Sequence, residues 1–272
     1  MYYLYKFMNN IEFRNYSDTD EIVKETYKKA RINQTLEFFN KMKSEYINRE
    51  KVIINITEAL NLLDKFIDQS DPDINLPNIQ HLFQSAEASR KDNQPDWFQL
   101  VCLIHDLGKI MYLFGDDETG TSIKEQWAVV GDTFIHGCKI PDTIVYPEFN
   151  KLNSDHNNYD KFGIYSKNCG LENCNVSWGH DEFLYRTLLN NQNTLPQEAL
   201  YIIRYHSLYL YHDKNEYEHL LNNYDLQMKS WLKLFNKYDL YSKNNELLNI
   251  NELKNYYLNL FDKFFVSRDL FW

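Results

Sequence analysis

An apolar run with a His-Asp pair in its middle is the feature that most constrains this chain. The stretch PDWFQLVCLIHDLGKIMYLF covers residues 95–114 and places His105 and Asp106 among large hydrophobic side chains. Buried ionisable groups are costly unless they are paired, neutralised or bound to metal. In a helix, Lys109 would share a face with this pair, because residues three and four positions apart are neighbours. The run predicts either a polar site inside a core helix or, more simply, a buried His-Asp hydrogen bond.

Gly108 stands inside the same predicted helix. Glycine costs roughly 1 kcal/mol relative to alanine in a helix interior, so its presence needs a reason. We expect another backbone or a ligand to approach closely at this position.

The length, composition and net charge describe an acidic folded chain, and its start shows no targeting signal. It has 272 residues, of which 43% are hydrophobic and 25% charged, and a net charge of −10. This charge provides no basic field for a phosphate backbone, so we expect no nucleic-acid partner. The start lacks a signal-peptide pattern, and no run approaches the ~20 apolar residues that span a bilayer. We therefore predict a cytoplasmic protein without a membrane partner.

The four cysteines, at positions 102, 138, 169 and 174, form no C-x-x-C pair. A reducing compartment fits this usage. Cys102 is expected to be a small core residue. Cys169 and Cys174 leave open a zinc site with His180, although that spacing is unusual.

Hydrophobic periodicity predicts a single all-α domain covering residues 1–272. Ser177 and Pro196 are expected at the starts of two of the helices. Residues 126–134 are interpreted as a short strand or buried turn, residues 115–125 as a surface loop, and His136 and His156 as surface histidines. The predicted helices cover residues 18–46, 56–67, 81–90, 95–114, 177–189, 195–211, 225–241 and 253–265.

Six ionisable residues occur in or beside helical segments whose neighbours are apolar. They are His81, His105, Asp106, His180, His206 and Asp239. A core without metal would have to provide each of them with its own hydrogen-bond partner, and each unpaired group would cost ~1–3 kcal/mol of stability. One or two metal ions would bind all of them together. Nitrogen and oxygen ligands without thiolate suit zinc, iron or manganese. If two ions bind, Asp106 is the candidate bridging carboxylate.

Several motifs, taken in order, resemble the myo-inositol oxygenases, a branch of the HD-domain superfamily. SWGHDE together with WAVVGDTF is the most specific part of the resemblance. The matching stretches are FRNY (13–16), DQSDPD (68–73), HDLGKIM (105–111), QWAVVGDTF (126–134), CGLEN (169–173), SWGHDE (177–182), RYHSLY (204–209) and KYDLYSK (237–243).

The resemblance implies an HD-type helical bundle with irregular loops that holds two iron ions per chain. One iron would be bound by His81, His105, Asp106 and Asp239, and the other by His180 and His206, with Asp106 bridging. The family works in a mixed-valent Fe(II)/Fe(III) state with O2 as cosubstrate, and cleaves myo-inositol to D-glucuronate. All electrons come from the substrate, so the resemblance implies neither NAD nor flavin.

The resemblance also assigns roles around the metals. Lys109 and Asp106 would be catalytic, and the protein is expected to act as a monomer. The matching substrate-binding positions are Arg14, Asp68, Gln69, Ser70, Lys109, Gly131, Asp132, His206, Ser207 and Lys243. The chain departs from the family at Gln69, where an acidic residue is usual, in the longer loop 115–125, and in the tail SRDLFW.

Two other functions remain open from the residues. An HD-type phosphohydrolase would share His81, His105, Asp106 and Asp239, but would have basic groups around its metals and would act without O2. A helical scaffold that only binds small ligands would not need an intact ligand set.

Overall fold

The computed structural model describes residues 14–73, 75–243, 245 and 247–272, and the segment before Arg14, including Phe13 of the FRNY motif, lies outside them. Helices dominate these residues, which confirms the all-α prediction. The helices are α1 (Glu21–Asn33), α2 (Leu36–Asn48), α3 (Ile56–Leu62), α4 (Asn78–Lys91), α5 (Asp96–Ile104), α6 (Ser154–Asn158), α7 (His180–Leu189), α8 (Gln197–Tyr205), α9 (Tyr209–His212), α10 (Asn223–Tyr241) and α11 (Ile250–Phe261). Short 3-10 helices cover Leu63–Lys65, Leu107–Phe114, Pro147–Leu152 and Leu171–Asn173.

Helix α5 and the 3-10 helix after it form the centre of the core. The expectation that no run approaches the length of a membrane span is wrong for Asp96–Phe114, which is long and apolar enough by composition, but 78% of its most apolar window is buried within the fold. Helices α4, α8, α10 and α11 pack around α5. One connected cluster of buried apolar side chains extends from Phe39 to Trp272. The hydrophobic run is therefore explained by packing on all sides.

The predicted helix over residues 95–114 is interrupted at its His-Asp pair. Helix α5 ends at Ile104, and a 3-10 helix begins at Leu107. Gly108 confirms the expected close approach, since a Cβ there would lie 2.0 Å from the carbonyl oxygen of His180. This contact lets the start of α7 reach the end of α5.

The predicted polar helix over residues 18–46 is two helices. The Thr35 side chain accepts a hydrogen bond from the backbone N–H of Phe38 and caps α2. Gln34 is extended and donates from its side chain to the backbone oxygen of Trp178, at 2.6 Å. A cap and a tertiary hydrogen bond thus outweigh the helix propensity of this polar segment.

Two other predicted helix boundaries are wrong for similar reasons. Ser177 does not cap α7, because its hydroxyl donates to the backbone oxygen of Phe134 and Gly179 precedes the helix. The helix predicted over residues 195–211 starts after Pro196 as expected, but α8 ends at Tyr205 and the chain turns before α9.

The region after the core helix is more buried than predicted. His136 is fully buried between the rings of Phe39 and Phe134, and burial lowers its pKa to about 3. His156 is partly buried. Residues 126–134 form a buried turn, one of the two predicted alternatives. The surface loop 115–125 sends Thr121 inward, where it is 1% exposed.

The aromatic tail is tied into the fold through a two-stranded antiparallel sheet. Strand β1 (Ile53–Asn55) pairs with β2 (Asp269–Phe271). Trp272 is fully buried, its indole N–H donates to the backbone oxygen of Ile54, and its ring stacks near Phe183. The tail therefore supports the core from the side of α7.

We expect Trp272→Ala to lower the free energy of unfolding by about 3–5 kcal/mol, because a large buried side chain leaves a cavity. Phe271→Ala is the matched control, since this neighbouring side chain is 49% exposed. Its loss should cost less than about 1 kcal/mol. Urea unfolding followed by circular dichroism measures both, and equal losses would contradict the packing role of Trp272.

Candidate metal centre

The six predicted ligands converge, and four of them lie at helix ends. His105 and Asp106 follow α5 directly, His180 is the first residue of α7, and His206 follows α8. His81 lies in α4 and Asp239 in α10, and all six side chains are buried. Two groups of possible metal ligands result, His81 with His105 and Asp106, and Asp106 with His180 and His206.

Asp106 belongs to both groups. Its Oδ1 lies 3.1 Å from His180 Nε2, while its Oδ2 accepts hydrogen bonds from Lys109 Nζ at 2.8 Å and Asn78 Nδ2 at 2.9 Å. Burial alone would raise the pKa of Asp106, but Lys109 and His105 hold it well below its usual range. The carboxylate is thus ionised and is shared by the two groups of possible ligands.

Three of the histidines are oriented by backbone carbonyl groups. In each, Nδ1 donates to a carbonyl oxygen, which fixes the tautomer and leaves Nε2 as the possible metal ligand. The pairs are His105 with Cys102 at 2.9 Å, His180 with Val129 at 2.6 Å, and His206 with Ile203 at 3.0 Å.

The Nε2 atoms of these histidines need a cation. His105 Nε2 is buried and has no hydrogen-bond partner among the described residues. His180 Nε2 is surrounded by acceptors, with His206 Nε2 at 3.1 Å and Asp181 Oδ1 at 2.7 Å. Such a cluster is stable only with a proton or a metal ion between the acceptors. The residues present therefore fit a metal centre.

Asp239 completes the group around His81. Its Oδ1 lies 2.9 Å from His81 Nε2 and 3.5 Å from His105 Nε2. Its Oδ2 accepts a hydrogen bond from the hydroxyl of Tyr209 at 3.2 Å. Asp239 is thus held in place by a group outside the ligand set.

A cavity beside these ligands is lined by paired charges. Lys109 Nζ donates to Asp68 Oδ2 at 2.7 Å as well as to Asp106. The other two cations on the wall are paired too, Lys243 with Asp71 at 2.7 Å and Arg14 with Asp132. The Arg14 guanidinium also lies over the ring of Tyr209, 3.3 Å from its centroid.

Three smaller predicted residues also line this cavity. Ser70 donates from its hydroxyl and its backbone N–H to Asp68 Oδ1, at 2.6 and 2.7 Å. Gly131 has a positive φ of 94°, a conformation that favours glycine. Ser207 donates from its hydroxyl to Asp181 Oδ1 at 3.1 Å.

Gln69 is the predicted binding residue that does not line the cavity. Its side-chain amide donates to the backbone oxygen of Lys124 at 3.0 Å, and its backbone N–H donates to Gln126 Oε1 at 3.1 Å. Successive side chains of this loop point in different directions, so Asp68 and Ser70 face the cavity and Gln69 faces the loop behind it.

The structure adds three polar residues that the sequence reasoning did not assign. Asp181 lies against His180, and the signal for it is the second His-Asp pair, in SWGHDE. Tyr209 ends the motif RYHSLY, but no spacing shows that its hydroxyl reaches Asp239. Asn78 reaches Asp106 from the first turn of α4 and has no sequence signal.

The zinc alternative with Cys169 and Cys174 is not supported. The two sulfur atoms lie 3.8 Å apart, but His180 directs its nitrogens to Val129 and to the aspartates. Among the described residues, the groups with three possible ligand atoms contain only histidine and aspartate.

A mainly helical fold with buried histidines on both sides of a shared aspartate is typical of helical metal-binding proteins. Comparison with known proteins then specifies the family. A family model described as myo-inositol oxygenase matches residues 20–272, and the chain belongs to this family.

Several curated relatives carry the same name. The chain is 46% identical to inositol oxygenase 1 of Arabidopsis thaliana, over 94% of this chain and 83% of the relative. It is 44% identical to inositol oxygenase of Dictyostelium discoideum, over 96% and 90% of the two chains. For inositol oxygenase of Mus musculus the identity is 41%, over 93% and 88%.

The charge state of His180 leads to a prediction for metal binding. Burial alone would lower its pKa, but Asp181 and Asp106 raise it to about 10, so the metal-free protein holds a proton there at neutral pH. Metal must displace this proton, so affinity should rise about tenfold per pH unit below pH 10. Calorimetry with Zn2+, a redox-inert probe, between pH 6.5 and 8.5 measures this slope.

Asp181→Asn is the control for this prediction. Without the second carboxylate the pKa of His180 should fall, and the affinity should depend less on pH. A wild-type affinity that does not change with pH would contradict the proposed proton displacement.

Proposed function

We propose that this protein is an inositol oxygenase that uses two iron ions and O2 to convert myo-inositol into D-glucuronate and water. The observation that carries the proposal is Asp106, an ionised carboxylate buried between two groups of imidazole nitrogens. Membership in the myo-inositol oxygenase family supports the substrate and the reaction.

The metal ligands divide between the two sides of Asp106. His81, His105 and Asp239 would hold one iron, and His180 and His206 the other. Nitrogen and oxygen ligands suit iron, and the bound pair would supply Lewis acidity and one-electron chemistry towards O2. We propose a mixed-valent Fe(II)/Fe(III) active state. Since myo-inositol supplies all four electrons that reduce O2, no NAD or flavin is required.

The cavity wall suits a polyol. Each of its cations is held by an aspartate, so both donors and acceptors line the space beside the metal ligands. A substrate hydroxyl both donates and accepts, and can therefore bind to such pairs without leaving a buried charge alone. An analogue that lacks a hydroxyl leaves a buried polar group unpaired, which rejects it strongly.

Lys109 is suited to act as a fixed positive charge. Burial alone would lower its pKa, but Asp106 and Asp68 raise it well above its usual value. In the metal-free protein the ammonium therefore stays protonated at neutral pH. It can stabilise negative charge that develops on a substrate oxygen beside the metals.

The phosphohydrolase alternative is less compatible with this cavity. A phosphoester needs free cations, whereas Lys109, Lys243 and Arg14 are each paired. Carboxylates are also the more numerous charge on the wall, at Asp68, Asp71, Asp106, Asp132 and Asp239. Asp106 and Asp239 would hold metal in either enzyme, and the other three aspartates balance the three cations, so the wall itself adds no positive field for an anionic substrate.

We further propose that the protein acts as a monomer in the cytoplasm, without nucleic-acid or membrane partners. Its net charge of −10 supports the absence of a nucleic-acid partner. The use of free cysteines supports a reducing compartment.

An assay for glucuronate tests the main proposal. Purified protein loaded with iron should release glucuronate from myo-inositol in air, with no reductant beyond priming, and should release none under argon. Metal analysis of the same sample should give about two irons per chain. Phosphate release from phosphoesters under argon, without glucuronate in air, would instead support the phosphohydrolase.

Lys109→Met should lower kcat by about 100-fold or more, because a preorganised charge next to the reacting oxygens is lost. Iron content should persist, since Lys109 is not a ligand. Lys263→Met is the matched control, because this lysine lies at the surface, where its Nζ pairs with Asp96 at 2.6 Å, and its kcat and KM should stay within about twofold of wild type. A Lys109→Met enzyme with normal kcat would contradict the assigned role.

A further inference from the structure

Two cysteines outside the metal centre are in direct contact. The sulfur atoms of Cys169 and Cys174 lie 3.8 Å apart, at the two ends of the 3-10 turn Leu171–Asn173. Both thiols are free. A disulfide bond is about 2.05 Å long, so the sulfurs need to approach by less than two ångströms.

We propose that Cys169 and Cys174 are a reversible modification site, which forms a disulfide by exchange with a small disulfide of the oxidised-glutathione type.

The surroundings of the two thiols give the order of reaction. Cys169 is partly exposed and can meet a small disulfide from solvent. Cys174 is 2% exposed, and burial next to Cys169 raises its pKa far above the usual value, so it reacts only with a sulfur already beside it. Cys102 and Cys138 are fully buried and offer no entry.

The exchange balances without any further oxidant. The Cys169 thiolate attacks one sulfur of oxidised glutathione, a mixed disulfide forms, and one glutathione leaves as its thiolate. Cys174 then gives its proton to a departing thiolate and attacks the sulfur of Cys169. The bond to the second glutathione breaks, so two protein thiols and one small disulfide become one protein disulfide and two glutathione molecules.

The pair lies where two ligand-bearing segments meet. The backbone N–H of Leu171, inside the turn, donates to Asp225 Oδ2 at 3.0 Å. Asp225 also forms the capping box at the start of α10, the helix that carries Asp239. Beyond Cys174, Val176 pairs with Ile135, the residue after the buried turn, and the chain then leads to His180. A covalent bond here would fix the turn that joins both segments.

A metal ion is a weaker explanation for this pair. Two thiolates need further ligands to complete a tetrahedral zinc site. Among the described residues, no group of three possible ligand atoms contains a cysteine. The second sulfur is thus the closest reactive partner that either thiol has.

Tryptic mapping of the iron-loaded protein tests the proposal. Residues 168–186 form one tryptic peptide that contains both cysteines, while Cys138 and Cys102 belong to other peptides. The folded protein is equilibrated with mixtures of reduced and oxidised glutathione, alkylated and digested. We expect peptide 168–186 to lose both alkyl groups and about 2 Da as the oxidised share rises, and dithiothreitol to reverse the change.

Three variants sharpen the result. Cys174→Ser should trap a mixed disulfide with glutathione on Cys169, Cys169→Ser should leave peptide 168–186 unmodified, and Cys138→Ser should behave as wild type. The proposal fails if the wild-type peptide keeps two alkyl groups at every glutathione ratio. It also fails if Cys138→Ser prevents the loss. The wild-type peptide map tests the proposal without the variants. A variant that fails to fold therefore does not change the conclusion.

Discussion

The buried charge of Asp106 is the constraint on which the rest of the structure depends. A carboxylate at the centre of an apolar core is stable only if every oxygen lone pair meets a donor or a cation. Lys109 and Asn78 supply donors on one side, and His180 supplies a nitrogen on the other. Gly108 makes this possible, because only a residue without Cβ lets the backbone at His180 come so close.

The ends of helices provide the orientation that the metal ligands need. The last carbonyl groups of a helix have no intrahelical partner. His105 and His206 each follow a helix and donate from Nδ1 to the carbonyl oxygen three residues earlier, at Cys102 and Ile203. One contact thus satisfies a carbonyl group and fixes an imidazole tautomer. The same hydrogen bond occurs at the ends of α5 and α8. The Nε2 atoms of both histidines then face the carboxylate of Asp106.

Sequence reasoning could predict what depends on residue type and periodicity. Helical patterns and the scarcity of buried histidines identified an all-α fold and six side chains that the structure brings together. Sequence reasoning could not predict features that depend on contacts with residues far away in the chain. The break before α2 depends on Gln34 reaching Trp178, and the burial of His136 depends in part on the ring of Phe39, which belongs to α2. No local sequence pattern indicates these contacts, because Gln34 and Trp178, for example, are 144 positions apart.

The two departures that the resemblance implies, at Gln69 and in the loop 115–125, have one physical explanation. Gln69 stands where the resemblance implies an acidic residue, and its amide donates to the backbone oxygen of Lys124, in the longer loop 115–125. A carboxylate cannot donate, and two facing acceptors would repel each other. Gln126 adds a second connection, since its side chain bonds the backbone on both sides, at Ile67 and Ile123. The loop therefore supports the segment of Asp68 from behind, and the neutral amide at position 69 donates one of the hydrogen bonds that attach it.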